Sequence, residues 1–267
     1  MQTIDEVREH CRFAGKGIER MSVMNLIMKC SLLVTMGLAA LGCSRESESG
    51  RGSGSGGHKG VQLWKDGPYW AETNIGAEKP WDSGYYFWWG DTIGYKRVND
   101  ALVPVSGNVP PECYFKDNRS PLDGYSPRSL QANGFTTTED ALAPAYDAAH
   151  VQWGGEWRMP TIQELSDLVS KCDCTWTTMN GMNGYLVRGR GAYALSSIFL
   201  PAAGSGAGPI PPGTGRIGIY WSSNPDRNYN AYECDFVKNV IRADRSDYCS
   251  DFRGRGYSIR PVRGGGK

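Results

Sequence analysis

Residues 224–258 combine Asn, Asp, Arg, Tyr and Ser at close spacing. Such a mixture suits non-covalent recognition. Tyr supplies rigid contact area, Arg supplies forked donors, and Asp, Asn and Ser supply adaptable hydrogen bonds. Arg227, Asn228, Tyr229, Asn230, Arg242, Arg245, Asp247, Tyr248 and Arg253 are the candidate ligand-binding residues. Over Ala231–Lys238, alternation places Tyr232, Cys234 and Phe236 on an expected core face, with Glu233, Asp235 and Val237 opposite.

Other chemistries find less support. The chain has only three His (His10, His58 and His150), a poor basis for a His metal site or a His-centred triad. Neither a catalytic residue nor a metal or other cofactor is expected, and the protein is read as a binder, not an enzyme. A net charge of +1 gives no electrostatic case for nucleic acid. Cys172 and Cys174 are too close in sequence to pair readily, and Cys-X-Cys without near partners is a weak zinc signal. Cys234 and Cys249 could brace the polar segment with a disulfide, and Cys113 completes an odd set of five.

Many short strands must position these residues. Thirty-five Gly and a wealth of Trp and Tyr favour strands and turns over a helical bundle. Strands are expected from Gly60, over Trp70–Ala77, over Tyr85–Gly90, and then near 185–187, 197–200, 218–221, 231–238 and 257–262. The clearest helix begins at Thr161, where Thr161 and Glu164 form a capping box and Ile162, Leu165, Leu168 and Val169 repeat at helical spacing. A second helix is expected over Glu139–Ala149. Residues 95–140 read as a long irregular excursion and 201–216 as an exposed Gly/Pro-rich linker.

The N-terminal part reads as an address. Cys30–Gly42 is an apolar run of 13 residues preceded by Lys29. It is too short to cross a hydrocarbon layer of ~30 Å and has the layout of a secretory signal. Its end, Leu38-Ala39-Ala40-Leu41-Gly42-Cys43, resembles a bacterial lipobox, although Ala40 stands where Leu is usual. Residues 1–20 carry Asp5, Glu6, Glu9 and Glu19, which do not suit a signal peptide. The expected organisation is therefore an upstream stretch 1–20 outside the true start, a lipoprotein signal 21–42, a flexible tether 43–60, a ligand-binding domain 61–263 and a tail 264–267. The tether lacks apolar residues and cannot bury surface. Membrane attachment through a lipid on Cys43 implies the bacterial outer membrane, with the domain at the cell surface.

Several separated blocks add a resemblance. Trp70-Ala71…Asn74-Ile75-Gly76-Ala77, Gly84-Tyr85-Tyr86-Phe87…Trp89-Gly90-Asp91, Asp147-Ala148-Ala149, and Trp153-Gly154…Trp157-Arg158-Met159-Pro160-Thr161…Glu164-Leu165 follow in order. Ile198–Gly204, Tyr220-Trp221-Ser222-Ser223 and Ile259-Arg260-Pro261-Val262-Arg263 complete the set. Together they resemble the Fibrobacter major paralogous domain family. That resemblance implies an α+β, C-type-lectin-like fold with two helices, a small twisted antiparallel sheet, long irregular loops and neighbouring chain ends. Some similar proteins are variable proteins of diversity-generating retroelements, whose last strands carry a hypervariable ligand-binding face. By that likeness the partner is a surface ligand, protein or glycan, met at 224–258. The calcium-dependent sugar motifs Glu-Pro-Asn and Trp-Asn-Asp do not occur. Formylglycine-generating enzymes share the implied fold, but their first Cys falls where this chain has Asp244. A structural adhesin or pilus-tip subunit is the remaining alternative.

Lipidation is directly measurable. Cells fed a clickable palmitate analogue should label the protein, and Cys43→Ala should abolish the label. Label that survives the substitution would remove the anchor.

Overall fold

The computed structural model describes residues 57–98, 101–105, 119–206 and 213–264. The upstream stretch, the signal, Cys43, most of the tether and Cys113 lie outside the described residues. The described chain is mixed α and β, with short helices and several small antiparallel sheets.

Strands β1 (Gly60–Gln62), β2 (Tyr69–Ala71) and β12 (Val262–Arg263) make one sheet in the order β1-β2-β12. Both ends of the domain thus flank one central strand: Val61 and Val262 are the two partners of Trp70. A second sheet joins β5 (Asp173–Met179), β6 (Met182–Arg188) and β7 (Ser197–Pro201). The third is built around β9 (Asn230–Val237), which pairs with β8 (Ile217–Pro225), β10 (Val240–Arg242) and β11 (Ser250–Phe252). The β8–β9 register shifts between Trp221 and Pro225. Gly218 is obligatory in that pair, because a Cβ there would lie 1.9 Å from the Phe236 ring.

Helix α1 spans Pro127–Ala132, α2 Ala148–Trp153 and α3 Ile162–Lys171. The capping box predicted for α3 is present. Thr161 accepts from the Glu164 amide, and the Glu164 carboxylate accepts from the Thr161 amide. Asn224 adds a second cap, its Oδ1 accepting from the Ile162 amide at 2.8 Å. Ile162, Leu165 and Leu168 bury one face of α3 with Leu63, Val187, Leu200 and Phe236. A second apolar cluster gathers Phe87, Trp89, Trp221, Tyr257 and Ile259.

Four expectations are corrected. Residues 95–140 are not one irregular excursion: β3 (Tyr95–Val98) pairs with β4 (Ala101–Pro104), and α1 follows. The helix expected over 139–149 begins later. Asp140 sits at φ +60° and Ala143 is extended before Pro144, so the chain makes a 3-10 turn at Pro144–Tyr146 and starts α2 only at Ala148. Asp147 caps α2, accepting from the Ala149 and His150 amides, and also accepts from Met159 N. The aromatic run 85–90 forms isolated bridges, Tyr86 to Tyr95 and Phe87 to Tyr257, where a strand was expected. Residues 201–206, expected to be exposed, are buried, because Gly204 pairs with Gly218 and the Ala202 and Gly206 amides donate to Asn183 and Gly256 carbonyls.

The Asp147 cap ties α2 to the strand-like segment before α3, so it matters more than an ordinary cap. Asp147→Ala should lower stability by roughly 2–3 kcal/mol in urea denaturation, above the ~1 kcal/mol typical of a single N-cap, since three amides, two of them buried, lose their acceptor. A loss below ~1 kcal/mol would show that Met159 N does not depend on it.

Candidate functional site

The polar C-terminal segment folds into one connected surface. The loop 226–230 joins β8 to β9, and a 3-10 turn at Asp247–Cys249 leads into β11. Arg227 pairs with Asp247 across these two elements, and its Nε also lies 3.7 Å from Asp226 Oδ2. Ser250 Oγ donates to Asp226 Oδ2 at 2.7 Å, and Asn230 Nδ2 donates to Ser250 Oγ at 3.3 Å. Arg242 stands 5.8 Å from the Tyr248 ring centroid and Arg245 5.4 Å from that of Tyr232. Guanidinium–aromatic stacking of this kind holds long side chains in place without consuming all their donors.

Exposure sorts the nine predicted residues. Arg227, Asn228, Tyr229, Arg245, Asp247 and Tyr248 are exposed, while Asn230 and Arg242 are half-buried. Tyr229 is 54% exposed and Tyr248 62%, far more than is usual for such large rings in a packed domain. Phe252, 51% exposed, joins them and was missed in the sequence. Its neighbours Asp251 and Arg253 are buried while the Phe faces water, an inversion of the usual pattern. That inversion is a signal only once the burial of the two charged neighbours is known.

Arg253 is the correction. It is fully buried and presents nothing to a ligand. Its guanidinium donates to five backbone carbonyls: Leu122, Tyr125, Arg227, Asn228 and Asn230, at 2.7–3.2 Å. One face of the guanidinium lies 4.8 Å from the Trp89 ring. Desolvation pulls its pKa down to about 10, so it stays charged at neutral pH, with Asp123 the largest opposing influence. Arg253 therefore clamps the loop 226–230 onto the segment 122–125 through main-chain atoms alone. The Gly124 amide donates to the Asn228 carbonyl and reinforces the same junction.

The strand β9 also differs from the alternation read in the sequence. Cys234 and Phe236 are core residues as expected, but Glu233 and Asp235 are buried too. The β9 face carrying them is covered, and Asp235 accepts from Nε and Nη2 of Arg242 at 3.2 Å each. Arg242 thus spends part of its donor set inside the protein, leaving its stacked face toward Tyr248.

The Cys234–Cys249 brace is not formed. Cys172, Cys174, Cys234 and Cys249 all carry free thiols, and three of them are buried. Burial pushes the Cys249 thiol up to about 11 and the Cys174 thiol to about 11, while Cys172 reaches about 12 and Cys234 rises well above its usual value. At neutral pH these are protonated, unreactive thiols.

Arg253→Ala should destabilise the chain by more than ~3 kcal/mol in urea denaturation, because five hydrogen bonds to carbonyls and the contact with the Trp89 ring are lost at once. Tyr229→Ala and Tyr248→Ala should each change stability by less than ~0.5 kcal/mol. Equal losses would mean that the exposed rings, and not the clamp, hold the loops. Set against protein-family models, curated proteins and solved structures, the chain finds no match.

Proposed function

We propose that this is a lipid-anchored bacterial surface protein whose C-type-lectin-like domain binds a protein or glycan ligand through the face formed by residues 226–252. The observation that carries the reading is the pairing of exposed aromatic rings with an immobilised backbone. Tyr229, Tyr248 and Phe252 offer large contact area beside Arg227 and Arg245, and Arg253 holds the loop beneath through carbonyls only. Aromatic and Arg anchors of this kind dominate protein recognition. A loop ordered before binding loses little entropy when the ligand arrives.

The clamp also supports the variable-protein reading. Side chains at 227–229 can change without touching the bonds that fix their main chain, because the Arg253 guanidinium donates to the Arg227 and Asn228 carbonyls and not to the side chains. The neighbouring ends at β1 and β12 agree with the chain closure expected of the C-type-lectin-like fold. The protonated, buried Cys249 speaks against the formylglycine-generating alternative, whose chemistry needs an accessible thiolate.

Two measurements test this. The full chain is applied to a printed glycan array and to a display library of envelope proteins. Saturable hits that vanish in the Tyr229→Ala/Tyr248→Ala/Phe252→Ala variant, at unchanged urea midpoint, support the face. Hits that survive the triple substitution, or no hits on either probe, would overturn it. For diversification, the gene should lie beside a reverse transcriptase gene and a near-copy of its 3′ coding segment that differs only at adenines. A locus without that repeat leaves an undiversified binding domain.

A further inference from the structure

A second concave site lies away from that face. It is a cavity of about 890 Å³ between the turn 64–68, the loop 137–144 and the outer side of α3. None of the nine residues discussed above lines it. Its size falls within the range of small-molecule sites.

The charges around it are unbalanced. Glu164 is held by Arg158 and the capping box, Asp167 by Lys171, and Asp147 by backbone amides. Asp66, Glu139 and Glu156 remain exposed and make no ion pair among the described residues, against the single unpaired cation Lys65. The aromatic part of the wall is already suited to a cation: Lys171 Nζ lies 5.6 Å from the Trp64 ring centroid. Leu142 and Pro144 offer apolar surface to an alkyl stem.

Ser223 supplies an independent sign of a ligand. It lines the cavity, is 2% exposed, and its Oγ has no hydrogen-bond partner among the described residues. Its backbone is fully used, the amide donating to Pro160 O and the carbonyl accepting from Leu142 N. A buried hydroxyl left without a partner costs roughly 1–3 kcal/mol, so it persists where something else answers it.

From these observations we infer that the cavity binds a primary ammonium group on an alkyl stem, with Ser223 Oγ accepting from the ammonium and Glu139 and Glu156 neutralising its charge. The same chemistry is offered by a free polyamine and by a lysine side chain of another protein.

Isothermal titration of the full chain with spermidine, with an N-acetylated trilysine amide and with succinate decides the matter. Saturable binding of either cationic probe, and none of succinate, is expected. Glu139→Gln/Glu156→Gln should weaken it at least about tenfold, and Ser223→Ala about tenfold with stability unchanged or raised, since that substitution removes an unsatisfied hydroxyl. Tighter spermidine binding assigns a free polyamine, and tighter peptide binding assigns a lysine side chain. No saturable binding of either cation, equal binding of succinate, or affinity unchanged in the folded double variant would overturn the site. The triple aromatic variant should bind these probes normally, which separates this test from that of the C-terminal face.

Discussion

The fold depends on how a chain with little regular structure satisfies its buried carbonyls. A helix or a sheet ladder pairs each carbonyl automatically, but a buried loop does not. Here two guanidiniums add donors, in part to carbonyls that also accept from a backbone amide. Arg253 serves five carbonyls from two loops. Arg260 donates to Ala71, Glu72 and Phe199 carbonyls and to Asn74 Oδ1. The first joins the C-terminal loops to the segment 122–125, and the second joins the segment 71–74 to the middle of β7. Each guanidinium has five N–H donors in a rigid plane, a geometry that Lys cannot reproduce. Burying such a charge is costly unless every donor is used, and in both residues the bonds run in nearly every direction the plane allows.

The same constraint explains why the surface face can be rich in large rings. Tyr229, Tyr248 and Phe252 contribute little to the core, so the platform beneath them must be held by something else. Trp89 links the two requirements. It stacks under Arg253, its amide donates to the Arg253 carbonyl, and its ring N–H donates to the Ser222 carbonyl of β8. The core, the clamp and the central sheet therefore meet at one indole. Ser222 and Ser223 then part: one lies toward β9 through its bond to Tyr232, the other lines the cavity beside α3.

Much of this was legible in local sequence, and the remainder was not for a definite reason. The helix at 162–171 was readable because its cap and apolar period lie within ten residues of each other. The strands near 185, 198, 219 and 234 were readable because β-favouring residues cluster there. Arg253 was misread because a charged residue inside Arg242–Arg255 looks like solvent-exposed surface. Its partners are up to 131 residues away, and backbone carbonyls carry no mark of side-chain type. Glu233 and Asp235 misled for the same reason: alternation tells two faces apart but cannot say that both are covered. The Tyr85–Gly90 run was read as a strand from its aromatics, yet those rings pack in the core while their backbone meets two different partners. The cavity left almost no local trace, since its walls come from four separate parts of the chain.

The placement of β1 and β12 on either side of β2 has a further meaning for how such a domain is handled as genetic material. Gln62 and Arg263 are both partners of Tyr69, so the two ends sit about two strand spacings apart, or ~10 Å. A short peptide can bridge that gap. The domain could therefore be rejoined end to end and opened at another exposed turn, or spliced whole into a surface loop of a host protein with little strain on either partner. In both rearrangements the clamped face would travel as an intact module, because none of the bonds that fix it involves the chain termini.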